Sequence, residues 1–472
     1  MFRTQTRTAM IASTIIALLG VALVAPTGTA SGAVTRSAIQ GVTDDEIQIV
    51  AIVPDLEELR ASGAPVSRTT PADYEKRSQL YADAFGPING RKVVVKQVGW
   101  NPIDPTSLTK ACAEATQNTE PFAVVHQAGY QMSAVPCITV DNKTPFITGD
   151  PGYKIIQKAS GNRLVTLGIG AEVMGTAAAN YIDGHKAISK KAKIGILSNN
   201  EPAVKAAGDS VEARLKKLGY NVVSKVELNG LAADFGLLNR ESSAAADTMK
   251  AKGVDTVINA NSFLSVVGFW QEAQRTGMEL TAFAFDGQAG ACNLDGARFA
   301  PSEVNIKCLS FYGTRALPDK SGIRPDTPFE AKCREQFDKA FNEKSYPGVP
   351  NGDYEAGGVT YVEDFAEDEC TIMNLLLPAM KKAGKNLTWD KTFSNLMKVT
   401  NGDVASHSDG HGSFSKNKPY FYDQVHIVER SAASANTPVD ANGTTFNGCP
   451  IPRSCWIPVL TDGKEWFKAQ PG

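Results

Sequence analysis

Residues 192–219 read AKIGILSNNEPAVKAAGDSVEARLKKLG. Ile194-Gly195-Ile196-Leu197 is a short apolar run of strand type, and Val204, Ala207, Val211, Leu215 and Leu218 then recur at helical spacing until Gly219 stops the helix. Working outward, Val222-Val223 begins a second strand, Lys252-Gly253 ends the following helix, and Thr256-Val257-Ile258 is a third strand. A helix carrying Leu264, Val267, Trp270 and Ala273 stops at Gly277, and Phe283-Ala284-Phe285 closes the series. Strand–helix–strand repetition at this spacing predicts a doubly wound parallel sheet with helices on both faces.

Upstream the same pattern recurs more faintly. Residues 47–53 form a buried strand pattern, Thr70-Pro71-Ala72-Asp73 opens a helix, and residues 92–96 are the next strand. Asp104-Pro105 starts another helix, and residues 122–125 and 145–148 are further short strands. Two such units, each able to bury its own core, predict an α/β protein of two doubly wound lobes. Beyond Cys308 the pattern loosens to a helix around 329–341, a Gly/Pro-rich stretch at 346–358 and a helix over about 360–383 that Pro378 should kink or restart. Residues 431–472 are polar and are expected to wrap the surface.

The N-terminus has the features of an export signal over residues 1–33. Arg3 and Arg7 precede an apolar run at 9–25, and small residues end at Ser31-Gly32-Ala33. No cysteine follows the run, so the expectation is a cleaved, secreted or extracytoplasmic protein without a lipid anchor. The net charge of −2 over 472 residues offers no basic excess for a nucleic-acid backbone. The eight cysteines, Cys112, Cys137, Cys292, Cys308, Cys333, Cys370, Cys449 and Cys455, are an even set in an exported chain, which implies disulfides. Cys449 and Cys455 bound a loop short enough for one bridge, and proximity pairs Cys292 with Cys308 and Cys333 with Cys370.

Catalytic and cofactor motifs are missing. There is no nucleophile elbow and no phosphate loop. His407-Ser408-Asp409-Gly410-His411 reads as a turn rather than a metal clasp, and Gly168-Ile169-Gly170 has its third glycine at Gly175, out of place for a dinucleotide fingerprint. The expectation is a non-enzyme with no metal and no cofactor.

Several segments, in order and spacing, resemble type I periplasmic binding proteins of the branched-chain amino acid (Leu/Ile/Val) class, which serve ABC transporters. They are Gly41-Val42-Thr43-Asp44-Asp45-Glu46-Ile47, Ile88-Asn89-Gly90-Arg91-Lys92-Val93, Asp104-Pro105, Ala192-Lys193-Ile194-Gly195-Ile196-Leu197, Lys217-Leu218-Gly219-Tyr220, Gly253-Val254-Asp255-Thr256-Val257-Ile258 and Ala383-Gly384-Lys385. The resemblance implies a lobe of residues 44–165 plus 312–410, a second of 166–308 plus 412–472, and three crossovers near 165–171, 308–315 and 411–420. It also implies a Cys112–Cys137 disulfide, a small-molecule ligand held between hinged lobes, a membrane permease as partner and a monomeric state.

Carried over residue by residue, first-lobe contacts fall on Gly129, Tyr130 and Gln131 and on Thr148, Gly149 and Asp150. Free backbone N–H groups there would suit a ligand carboxylate, which Asp150 would repel. Second-lobe contacts fall on Asn261, Ser262 and Phe263 and on Asp286, which would meet a ligand ammonium; Glu172 lies at the first crossover. Residues 199–203, Asn-Asn-Glu-Pro-Ala, lack the aromatic side chain usual at that place. The expected ligand is an amino acid or similar small polar organic molecule. A binding protein that presents its closed form to a sensory receptor is the alternative. Loss of the Asp286 side chain is expected to weaken binding while hardly changing fold stability.

Overall fold

The computed structural model describes residues 39–470 apart from 62–68, 103, 105, 128, 230–234, 262, 288–291, 293–303, 314–316, 319–323, 346–353, 357–358, 362–366, 416–417 and 431–455. The expected signal segment and Cys449 and Cys455 lie outside the described residues.

The chain first lays down β1 (Glu46–Pro54), α1 (Glu57–Ala61), α2 (Pro71–Phe85), β2 (Lys92–Trp100), α3 (Ser107–Ala113), β3 (Ala123–His126), β4 (Phe146–Thr148), α4 (Lys154–Ser160) and β5 (Leu164–Thr166). These strands form one parallel sheet in the order β2-β1-β3-β4-β5. The start of α2 follows from its local sequence. The Thr70 side chain accepts from the Asp73 N–H, Asp73 accepts from the Thr70 N–H, and Pro71 takes the first turn, where a missing N–H costs nothing.

The second sheet grows from α5 (Ala171–Gly184), β6 (Lys193–Asn199), α6 (Pro202–Lys217), β7 (Asn221–Leu228), α7 (Phe235–Ala251), β8 (Thr256–Asn259), α8 (Val267–Arg275), β9 (Thr281–Phe285) and β10 (Ile306–Ser310). Five of its strands run parallel in the order β10-β9-β8-β6-β7. All four residues of β8 and all but the first residues of β6 and β9 are buried, as befits strands covered on both faces. Helices α5 and α6 meet closely at Gly175, where a Cβ would lie 2.3 Å from the Ala207 carbonyl oxygen.

The chain then returns to the first lobe as α9 (Pro328–Phe341), the hairpin β11 (Tyr354–Ala356) and β12 (Val359–Tyr361), α10 (Glu367–Ala383) and α11 (Trp389–Leu396). Helices α9 and α10 pack on α2. The helix expected from about residue 360 begins at Glu367 instead, because Val359-Thr360-Tyr361 are strand formers that pair with β11. It also runs through Pro378 unbroken to Ala383. The two-residue strands β13 (Gly402–Asp403) and β14 (His411–Gly412) lead into β15 (Gln424–Arg430), which adds antiparallel to β10. The tail does more than wrap the surface: β16 (Ile457–Val459) and β17 (Phe467–Lys468) both pair with β15.

Three disulfides form as the sequence reading expected: Cys112–Cys137, Cys292–Cys308 and Cys333–Cys370. The third joins α9 to α10 across 37 residues of chain and so restricts the unfolded ensemble most. Replacing Cys333 and Cys370 together by alanine is expected to cost about 3 kcal/mol, read as a lower urea midpoint. An unchanged midpoint would show that α9 is held by packing alone. No helix among the described residues is long and apolar enough to cross a membrane.

Candidate functional site

In a doubly wound sheet the crevice opens at the carboxyl ends of the strands, where the strand order reverses. Here β1 has β2 on one side and β3 on the other, and β6 has β7 on one side and β8 on the other. The strand ends at those points carry His126, Asn199 and Asn259, with Thr148 and Asp286 at or just past the ends of β4 and β9.

Asp150 organises the first-lobe side. Its buried carboxylate accepts from the Gly129 N–H at 2.6 Å, the Tyr130 N–H at 3.1 Å and the Thr148 hydroxyl at 2.8 Å. Thr148 Oγ1 in turn accepts from the Asp150 N–H. Gly129 holds φ at +97°, a conformation few other residues adopt. Gly149 has no room for a side chain: a Cβ would lie 1.9 Å from the Gln127 carbonyl oxygen and 2.8 Å from Asp368 Oδ2. Burial pushes the Asp150 pKa up, opposed by His126 and by the hydrogen bonds. The N–H groups expected to be open to a ligand carboxylate are therefore taken by a carboxylate of the chain itself.

The other first-lobe residues are placed differently. The Tyr130 side chain belongs to the core, edge-on to Trp100 at 5.6 Å and Phe146 at 5.7 Å, with His126 at 5.4 Å. Burial raises its pKa, and its hydroxyl has no hydrogen-bond partner among the described residues. Gln131 is buried beside it in sequence. Glu172, in the first turn of α5, accepts from the Lys154 N–H at 3.0 Å and so ties α5 to the start of α4.

On the second-lobe side Asn261 is buried and donates its N–H to Asn259 Oδ1 at 3.0 Å, while its own Oδ1 finds no partner among the described residues. Phe263 begins a short turn through Val266, its side chain lying outside the described residues, as does all of Ser262. Asp286 is fully buried and accepts from Ser310 Oγ at 2.5 Å, the Cys292 N–H at 3.1 Å and the Phe311 N–H. Burial pushes its pKa up to about 7 against those bonds and nearby His407. Its loss is therefore expected to cost stability as well as binding, since it takes the acceptor from the Cys292 and Phe311 N–H groups and leaves Ser310 Oγ only a long bond to the Tyr312 carbonyl oxygen.

Glu201 was not singled out in the sequence. It precedes Pro202 and caps α6, accepting from the Ala203 and Val204 N–H groups at 2.8 and 3.2 Å. It also accepts from the Ser133 N–H at 3.2 Å, a bond from the loop after β3 to the loop after β6. An acid directly before a proline that opens a helix was the available signal. Burial moves its pKa up to about 7, with Asp150 adding to the rise.

Two histidines complete the site. His126 Nδ1 lies 2.6 Å from the Ile52 carbonyl oxygen, and its Nε2 is 3.9 Å from Asp150 Oδ2. His407 Nδ1 lies 2.7 Å from the Ala405 carbonyl oxygen, and its Nε2 is 3.7 Å from Asp368 Oδ1. His407 stacks on Tyr422, whose hydroxyl donates to Asp368 at 2.6 Å. His411 is exposed near Asp403, so the turn at 407–411 does not bring its two imidazoles to one center. No cluster of potential metal ligands occurs among the described residues.

No protein-family model matches the chain, and no curated protein matches it. Solved structures do. A fatty acid ABC transporter substrate-binding protein from Thermomonospora curvata superposes with a TM-score of 0.59 at 16% identity, covering 86% of this chain and 92% of that one. An ABC-transporter solute-binding protein from Rhodopseudomonas palustris BisB5, in complex with 3,4-dihydroxybenzoic acid, gives 0.59 at 13% identity, with 90% and 98% covered. A branched-chain amino acid ABC transporter protein from Thermus thermophilus with bound valine gives 0.57 at 14%, with 83% and 94% covered. These likenesses establish the fold, which is that of the two-lobed type I periplasmic binding proteins.

Proposed function

We propose that this chain is an extracytoplasmic solute-binding protein of an ABC importer, a monomer that holds a small polar organic molecule between its lobes and hands it to a membrane permease without chemical change. The observation that carries the reading is the meeting of the two strand-end crevices: Ser133, beyond β3, donates to Glu201, beyond β6. Groups on both sides with no hydrogen-bond partner among the described residues, His126 Nε2 and Asn261 Oδ1, are left for a ligand. In this reading residues 44–165 with 312–410 move against 166–308 with 412–472, bending at the crossovers. A ligand touching both sides favours closure by its higher affinity for the closed form.

The solution radius of gyration is expected to fall on saturation with ligand while the circular dichroism spectrum stays constant. Small-angle scattering across a library of amino acids, amines, aromatic acids and sugars makes the test. Tight binding with no compaction would replace the hinged importer component by a rigid receptor.

A further inference from the structure

Glu201 has two sets of neighbours. Those of its own segment are donors: the Ala203 and Val204 N–H groups reach one carboxylate oxygen at 2.8 and 3.2 Å, as the open first turn of α6 requires. Those of the other lobe are mixed. The Ser133 N–H reaches the second oxygen at 3.2 Å, while Asp150 and Tyr153 bring an acid and a phenol to the same place. Asp150 is faced in turn by His126 and Asp368, and Tyr153 by Glu172. With the contact made, Glu201 is 5% exposed, and no lysine or arginine among the described residues offsets its charge.

Parting the lobes changes these neighbours in one direction. The two α6 N–H groups belong to the same segment as Glu201 and travel with it. Ser133, Asp150 and Tyr153 belong to residues 44–165 and are left behind, and water takes their place. An ionised Glu201 thus loses one donor, but gains hydration and relief from a second acid. Burial first, and the Asp150 charge after it, push its pKa up to about 7 while the contact holds, from an ordinary 4.5. A hydrated carboxylate at a helix N-terminus has no such cause to rise. The joined lobes therefore bind a proton that the parted lobes release. By linkage the contact is fully favoured below the ordinary value, and that advantage is lost as pH rises through about 7.

We infer that the lobes take up a proton on Glu201 when they join, so that acid favours the closed form and alkali the open one. This rests on the hinged solute-binding reading and adds the proton to it as a second ligand, bound where Ser133, Asp150 and Tyr153 of one lobe meet Glu201 of the other.

The test is hydrogen exchange at the Ser133 amide in the full mature protein with no solute added. That N–H is freed when the contact breaks, and exchange reads the opening equilibrium even where the open form is rare. Corrected for the intrinsic rate, the opening constant is expected to rise at least tenfold between about pH 5 and pH 8. The Val124 amide, bonded to Pro145 inside the first sheet, should stay protected throughout. Glu201→Gln cannot ionise and keeps an acceptor for Ser133, so it should abolish the rise. Asp150→Asn withdraws the opposing acid and should move the rise to lower pH, which decides the matter where Glu201→Gln does not fold. A rise that survives Glu201→Gln puts the proton on another group, such as His126, and overturns the assignment. An opening constant flat in pH, or a Ser133 amide with no protection, overturns it as well. In both cases the hinged reading stands if dilute urea leaves Ser133 exchange unchanged. Exchange of Ser133 only together with Val124, accelerating steeply with urea, would show lobes that do not part short of unfolding, and removes both readings.

Discussion

Glu369→Gln is expected to lower the unfolding free energy by about 3–5 kcal/mol, a large share of the stability of any domain. Glu369 pairs with Arg77 at 3.1 Å, and the two side chains are 7% and 1% exposed. Ser78 donates to the other carboxylate oxygen at 3.0 Å, and the Arg77 guanidinium lies over the Tyr74 ring at 4.3 Å. Neutralising the acid takes the anionic partner at 3.1 Å from a buried cation, and breaking a buried pair costs more than replacing it by an apolar contact. Arg77→Leu with Glu369→Leu should therefore recover much of the loss. The pair joins α2 to α10 and fixes the returning segment on the first lobe. Urea unfolding of Glu369→Gln, of the two single leucine variants and of the double variant makes the test, and additivity of the leucine pair would show that the two charges are independently solvated.

Raising the pH from 4 to 8 is expected to destabilise the fold, with most of the loss spread between about pH 4 and pH 7. Asp286 and Glu201 are both pushed up to about 7 by burial, from ordinary values of 3.8 and 4.5. Below the ordinary value the carboxyl is protonated folded or unfolded, and its contribution is fully present. Between the two values the folded chain holds a proton that the unfolded chain has released, so stability falls as pH rises and levels off above about 7. At 1.36 kcal/mol per unit the contribution is about 4 kcal/mol for Asp286 and about 3 kcal/mol for Glu201. Ser310, Cys292, Phe311 and His407 face Asp286, and Ser133, Asp150 and Tyr153 face Glu201. Surface acids such as Asp183 and Glu272, whose pKa values are lowered by hydrogen bonds from Lys190 and Arg275, work in the opposite sense only at more acidic pH. Asp286→Asn and Glu201→Gln should each flatten the profile. Stability that rises from pH 4.5 to 7 would show these groups are ionised in the native protein.

The legible parts of the sequence were those with local causes. Thr70, Pro71 and Asp73 announce α2 because a cap and its helix lie within one turn. Val204, Ala207, Val211 and Leu215 announce α6 because one buried face repeats every three to four residues. Where local signals conflicted the reading went astray: Val359-Thr360-Tyr361 took a hairpin partner in place of a helix. Asp150 and Asp286 were picked out by position, yet both spend their hydrogen bonds on the chain itself.

Alternation of short apolar strands with amphipathic helices was enough by itself to determine parallel α/β lobes, because periodicity is a property of neighbours in sequence; the even set of cysteines favoured the Cys292–Cys308 and Cys333–Cys370 bridges by proximity and left their connectivity to the structure. The electrostatics of the crevice were decided by the tertiary structure alone. Asp150 meets the Gly129 and Tyr130 N–H groups across about 20 residues, Glu201 meets Ser133 across 68, and Arg77 meets Glu369 across 292. A carboxylate written in one segment acquires its role only when folding removes water and leaves it one set of donors, and no local pattern records which set that is.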